Sequence, residues 1–157
     1  MKIAWKKLVL CLMIPLLVGG LSALLTRNSM EIFETLQKPP FAPPGWLFPV
    51  AWTVLYLLMG TASYLVLESG GDPEKIRQAL KVYGIQLAVN FLWPLLFFSL
   101  QRYLLSFLWL LLLLVLIVIT LLRFRSLSPV AGLLLVPYLL WVVFAGYLNL
   151  GIFLLNR

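Results

Sequence analysis

Five apolar runs without a single charge leave this chain little choice of environment: Leu8–Leu25, Trp46–Leu67, Val82–Leu100, Leu104–Leu122 and Val130–Leu155. Each is long enough to cross the hydrocarbon core of a bilayer as a helix, and Lys, Arg, Asp and Glu are confined to the ends and the short segments between. At 63% hydrophobic residues and a mean hydropathy of +1.05, the chain lies far outside the range of soluble domains. The expected fold is an all-α membrane protein, a five-transmembrane-helix bundle. It forms a single membrane domain over residues 1–157, with helices at about 8–25, 46–67, 73–100, 104–122 and 130–155 and no room for an extramembrane domain.

The basic start followed by an apolar run also fits a signal peptide, and Leu21-Ser22-Ala23 weakly resembles a cleavage site, but the run is long enough to span and is read as a helix. A short amphipathic helix is expected around Met30 to Leu36, and Asp72 is placed to cap a helix that has Pro73 in its first position. Counting Lys and Arg by side puts Lys2, Lys6, Lys7, Lys75, Arg77, Lys81, Arg123 and Arg125 on one face of the membrane. Arg27, Lys38, Arg102 and Arg157 fall on the other. That asymmetry predicts an integral membrane protein with its N-terminus inside and its C-terminus outside; a bacterial cytoplasmic membrane is the expected location. The net charge of +7 is thereby explained by topology, with no nucleic acid implied.

Between the first two runs lies Lys38-Pro39-Pro40-Phe41-Ala42-Pro43-Pro44-Gly45-Trp46, in which four prolines in six residues forbid a helix. This stiff lip leads directly into an aromatic helix and is expected to collar a pocket at the membrane surface. All five acidic residues fall in loops or helix ends, there is no histidine, and the one cysteine, Cys11, stands alone. Ion-coupled pumping, acid/base hydrolysis and metal sites therefore lack their usual residues.

The polar groups at membrane depth are neutral. Gln86, Asn90, Trp93 and Phe97 share one helix face, as do Tyr138, Trp141, Ala145 and Asn149, and again Pro49, Trp52, Tyr56 and Gly60. Three such faces could line one cavity for a large, flat, apolar ligand. The ordinary alternative is that Trp and Tyr sit at membrane interfaces while Gln and Asn tie helices together. Trp5 and Trp109 are assigned to that alternative outright, and Trp46 is interfacial on either view. Without histidine, a metal-free porphyrin or another neutral polycycle suits such a cavity better than an iron-liganding haem.

These residues also carry a resemblance. Lys38 to Pro44 through Trp52, Leu55-Tyr56 and Met59-Gly60 form its first block; Gln86-Leu87, Asn90, Trp93 and Phe97-Phe98 its second; Pro137-Tyr138, Trp141, Phe144-Ala145 and Leu148-Asn149 its third. Over essentially its whole length the chain resembles the TspO/MBR family, which comprises tryptophan-rich sensory proteins and the translocator protein once called the peripheral benzodiazepine receptor. The resemblance implies a five-helix bundle, commonly a homodimer, with a cavity under the first loop for tetrapyrroles such as protoporphyrin IX. Carried over by position, it places Pro43, Pro44, Trp52, Asn90, Trp93, Trp141, Ala145 and Leu148 at the ligand. Porphyrin is then a ligand or substrate, and no cofactor is required. The animal members' Tyr-and-Arg cholesterol motif is not met, because Tyr147 lies ten residues before the next basic residue, Arg157, which puts cholesterol binding in doubt. Phe41 stands where many members have Trp.

Gly84 and Ala88 form a small-xxx-small pair on a face away from Asn90 and are the expected dimer contact; Gly19 and Ala23 form another in the first run. Three functions stay open: a porphyrin binder for sensing, transport or tetrapyrrole homeostasis; a light-dependent porphyrin-degrading enzyme with Trp52 and Trp141 as electron or radical partners; and a scaffold for lipid or a partner protein.

Overall fold

A computed structural model describes residues 2–157, and among them every regular element is a helix. Helix α1 (Trp5–Thr26) runs through a 3₁₀ turn (Arg27–Ser29) into α2 (Met30–Thr35), the short helix anticipated around Met30. After the lip come α3 (Leu47–Leu67), α4 (Pro73–Pro94), α5 (Tyr103–Leu127), α6 (Pro129–Leu134) and α7 (Val136–Leu155). Five helical stretches are long and apolar enough to cross a membrane: Trp5–Thr35, Leu47–Leu67, Pro73–Ser99, Tyr103–Leu127 and Pro129–Leu155. Their order around the bundle follows from which helices touch. α1 packs on α3, α3 on α6, α6 and α7 on α5, α5 on α4, and α4 on α1. The spans thus form a ring in the order first, second, fifth, fourth, third.

Sequence explains most of the boundaries. Asp72 accepts a hydrogen bond from the Glu74 N–H with Pro73 as the first helical residue, and Ser128 accepts one from the Ala131 N–H ahead of Pro129. Three boundaries differ from expectation, each for a physical reason. The first helix begins at Trp5 rather than Leu8, because lysines at a span's end can snorkel to the interface. The fourth runs on to Leu127 past Arg123 and Arg125, whose side chains are exposed beyond the apolar run. The fifth is divided at Leu135, where Pro137 in the next turn lacks the N–H that would continue the ladder.

Pro94 acts similarly on the third span. The helix past it widens into a π turn over Leu95–Ser99, the Leu100 N–H reaching the Leu95 carbonyl at 2.9 Å, and the chain then reverses at Gln101 with φ +54°. Helix α1 lies tight against α3 at Gly60, where a Cβ would lie 2.6 Å from the Cys11 carbonyl oxygen and 2.8 Å from the Leu12 Cα. Leucine, valine and isoleucine side chains cover the outside of the ring, as a lipid-facing surface requires. One end of the bundle joins the N-terminal segment to the turn before α4, through Lys7 and Glu68 at 3.0 Å. The other end gathers the lip and the C-terminus, through Gln37 and Asn156.

Candidate functional site

The lip is a built structure. The Ala42 N–H bonds the Pro39 carbonyl across a turn with Pro40 second and Phe41 third; Phe41 sits at φ +69° with its ring exposed. That is the geometry of a type II turn, whose third position ordinarily goes to glycine. Three contacts fasten the lip to α7. The Gln37 N–H donates to Asn156 Oδ1 (3.0 Å) while Asn156 Nδ2 donates to the Gln37 carbonyl (2.8 Å). The Tyr147 hydroxyl donates to the Pro40 carbonyl at 2.7 Å. Gly151 leaves room for the Pro39 ring, which would lie 2.6 Å from a Cβ there. Lys38 points back over α2, donating to the carbonyls of Glu34 (3.3 Å) and Leu36 (3.1 Å), with its ammonium 4.8 Å above the Phe33 ring.

Beneath the lip, between α1, α3 and α4, lies a cavity of about 280 Å³. Helix α3 contributes Phe48, Trp52 and Tyr56, each four residues on from the last and therefore on one stripe. Helix α1 faces them with Gly19, Ser22, Ala23 and Thr26, a stripe of small side chains that leaves the volume empty. Gly19 is obligatory there, since a Cβ would run into the Tyr56 ring. Helix α4 and its π turn add Asn90, Trp93, Pro94 and Phe98. Arg27 stands in the wall at the end of α1; with Ala23 and Pro49 it is exposed, so the cavity opens to the side of the bundle between the first two spans.

A second void of about 20 Å³ lies against Lys38 and Ala42 of the lip, with Phe33, Phe97, Ala145, Leu148 and Asn149 around it. Phe48, Trp93 and Phe98 line both and form the partition between them.

The predicted site residues are distributed among several positions. Trp52, Tyr56, Asn90 and Trp93 line the larger cavity; Phe97, Ala145, Leu148 and Asn149, again with Trp93, line the smaller. Gln86 and Tyr138 line neither, which corrects the expectation of three faces on one cavity. The Tyr56 hydroxyl donates to Asn90 Oδ1 (2.7 Å), Asn90 Nδ2 to the Tyr138 hydroxyl (2.8 Å), and that hydroxyl to Gln86 Oε1 (2.6 Å). This buried chain ties the second, third and fifth spans together and seals the cavity's inner end. Asn149 does the same elsewhere, accepting from Trp93 Nε1 (3.0 Å) and the Ser106 hydroxyl (3.1 Å) and donating to the Tyr103 carbonyl (2.8 Å).

Trp141 stands behind Trp52, edge to face at 6.4 Å, and its buried indole N–H has no partner among the described residues. Pro43, Pro44 and Trp46 belong to the lip and line neither void, the Trp46 ring being 68% exposed. Gly84 and Ala88 are exposed on α4 beside a shallow groove against Ile14 and Val18 of α1. Trp109 donates to the Val89 carbonyl at 2.8 Å, a purely structural bond.

Sequence reasoning missed the α1 wall, Phe33 and Phe48. The α1 wall had a signal, because Gly19, Ser22, Ala23 and Thr26 recur at helical spacing, but such a stripe reads equally as a helix-packing seam.

The profile of the TspO/MBR family matches residues 11–155. Among similar proteins, the tryptophan-rich protein TspO of Chlorobaculum tepidum is 41% identical over 150 residues, covering 95% of each chain. The translocator protein of Bos taurus is 38% identical over 147 residues, 92% of this chain and 87% of its own. The tryptophan-rich sensory protein of Cereibacter sphaeroides is 38% identical over 126 residues, 80% and 77% respectively.

Proposed function

Because the chain belongs to the TspO/MBR family of integral membrane proteins, we propose that its lateral cavity binds porphyrins such as protoporphyrin IX, for sensing, transport or tetrapyrrole homeostasis. The observation that carries this reading is the wall itself. Phe48, Trp52, Tyr56, Trp93 and Phe98 surround about 280 Å³ of space whose exposed rim, at Ala23, Arg27 and Pro49, lies between the first two spans. Aromatic faces suit a flat apolar ring system, and the opening lets a membrane-dissolved ligand enter without crossing water. Porphyrin is the ligand and no cofactor is needed. We place the lip and the C-terminus outside a bacterial cytoplasmic membrane on the charge count, and assign Gly84 and Ala88 to a homodimer contact because both are exposed small residues on one helix face.

A second reading rests on a different observation. Trp52 lines the cavity and also touches Tyr56 (5.6 Å), Tyr138 (6.2 Å) and Trp141 (6.4 Å) between ring centroids. An oxidisable indole against a photoexcited porphyrin, with further rings behind it, could support light-driven breakdown with dioxygen as oxidant.

Titration of purified protein with protoporphyrin IX, followed by tryptophan quenching in the dark and then under illumination, separates the readings. Saturable quenching without loss of porphyrin supports a binder. Loss under light that Trp52→Phe and Trp141→Phe abolish while still binding supports the enzyme. Absence of saturable binding overturns both and leaves a lipid or protein scaffold.

A further inference from the structure

The polar side chains in the cavity wall are Ser22, Thr26, Arg27, Trp52, Tyr56, Asn90 and Trp93. Five of them are already engaged by the protein. Ser22 donates to the Phe91 carbonyl (3.2 Å), Thr26 to the Ser22 carbonyl (3.0 Å), and Trp93 to Asn149, while Tyr56 and Asn90 bond one another. Two are not. Among the described residues the Trp52 indole N–H has no hydrogen-bond partner, and Arg27 has neither a hydrogen bond nor an ion pair. The only ion pairs there are Lys7–Glu68 and Glu74–Arg77. Glu31 stands four residues beyond Arg27 but is not within 4.0 Å of it.

Both free groups are donors, and one is a permanent cation. A ligand that satisfies them must therefore present acceptors, and its best head group is an anion. Arginine also offers a planar fork that takes both oxygens of a carboxylate. An amine would meet like charge at the mouth, and an ester would leave the guanidinium without its counter-ion.

We propose that Arg27 anchors the carboxylate of an otherwise apolar, flat ligand, so that the cavity selects organic acids over their neutral esters. This rests on the reading that the cavity binds such ligands at all. The ring system lies against Trp52, Tyr56 and Trp93, and the acid stays at the open end where α1 meets the membrane surface. The carboxylate thereby remains close to water while the body is buried, which keeps the cost of desolvating it low.

The test uses the full-length protein in an uncharged detergent, titrated with protoporphyrin IX and separately with its dimethyl ester, which has the same ring and no charge. A charge-assisted contact implies about tenfold tighter binding of the diacid by the natural protein. Arg27→Gln is expected to erase that preference by weakening the diacid alone, and Arg27→Lys to keep part of it. Unchanged ester binding by Arg27→Gln also shows that the variant is folded. Equal affinity for both forms, or a preference that survives Arg27→Gln, overturns the role of Arg27 while leaving the cavity reading intact. Failure of both forms to bind the natural protein overturns the cavity reading itself, and this inference with it.

Discussion

Asn149 shows how much a single neutral amide does in this bundle. It accepts from Trp93 and Ser106 and donates to the Tyr103 carbonyl, so one side chain of the fifth span holds the third and the fourth. Gln86, equally buried, accepts from Tyr138 alone. Interhelical bonds of this kind contribute about 0.6 kcal/mol each, and up to about 1.7. Asn149→Leu is therefore expected to destabilise the protein by roughly 2 kcal/mol or more, and Gln86→Leu by about 1 kcal/mol or less. Denaturant unfolding in mixed micelles measures both, and equal losses would contradict the bond assignment. The sequence shows that amides lie at membrane depth. It does not show which of them spend their hydrogen bonds on neighbouring helices, because that depends on what stands across from each one.

At the scale of elements, two glycines with the same local preference behave differently. A Cβ at Gly60 would meet backbone atoms of α1, which cannot move aside, whereas a Cβ at Gly84 would meet nothing within 4 Å. Gly60→Ala is expected to separate the first helix from the second and lower the melting temperature. Gly84→Ala should leave it unchanged or slightly raised, since alanine favours helix. If Gly84 serves the dimer, the bulkier Ala88→Leu nearby should yield monomers in detergent without loss of fold; an intact dimer by light scattering would remove that assignment. The lip prolines were legible as a bar to helix, whereas the expected third and fifth helices ran straight through Pro94 and Pro137: Pro94 brings a π turn that turns Phe98 into the cavity wall, and Pro137 follows a break inside the fifth span.

For the whole molecule, the long-range hydrogen bonds that hold the lip all run to one side. Gln37, Pro39 and Pro40 are held by Asn156, Gly151 and Tyr147 of the fifth span, while the cavity opens on the opposite side, beside the first. Asn156→Ala combined with Tyr147→Phe is expected to speed amide hydrogen exchange across residues 37–46 and leave α4 protected. Unchanged exchange in the lip would mean that packing of the proline rings alone secures it.

Charge-free runs, helix caps and motif residues are properties of neighbouring residues, and from them the sequence by itself determined five spans, the family and the placing of Trp52 and Tyr56 on one helix face. The tertiary structure alone decided which polar groups remain free. Gln86 and Tyr138 are spent on one another, Asn149 on three partners, and Trp52 and Arg27 are left facing the cavity. A helix face can be read from periodicity, but what lies across from it depends on the ring order of the spans, which brings the first beside the third and the second beside the fifth.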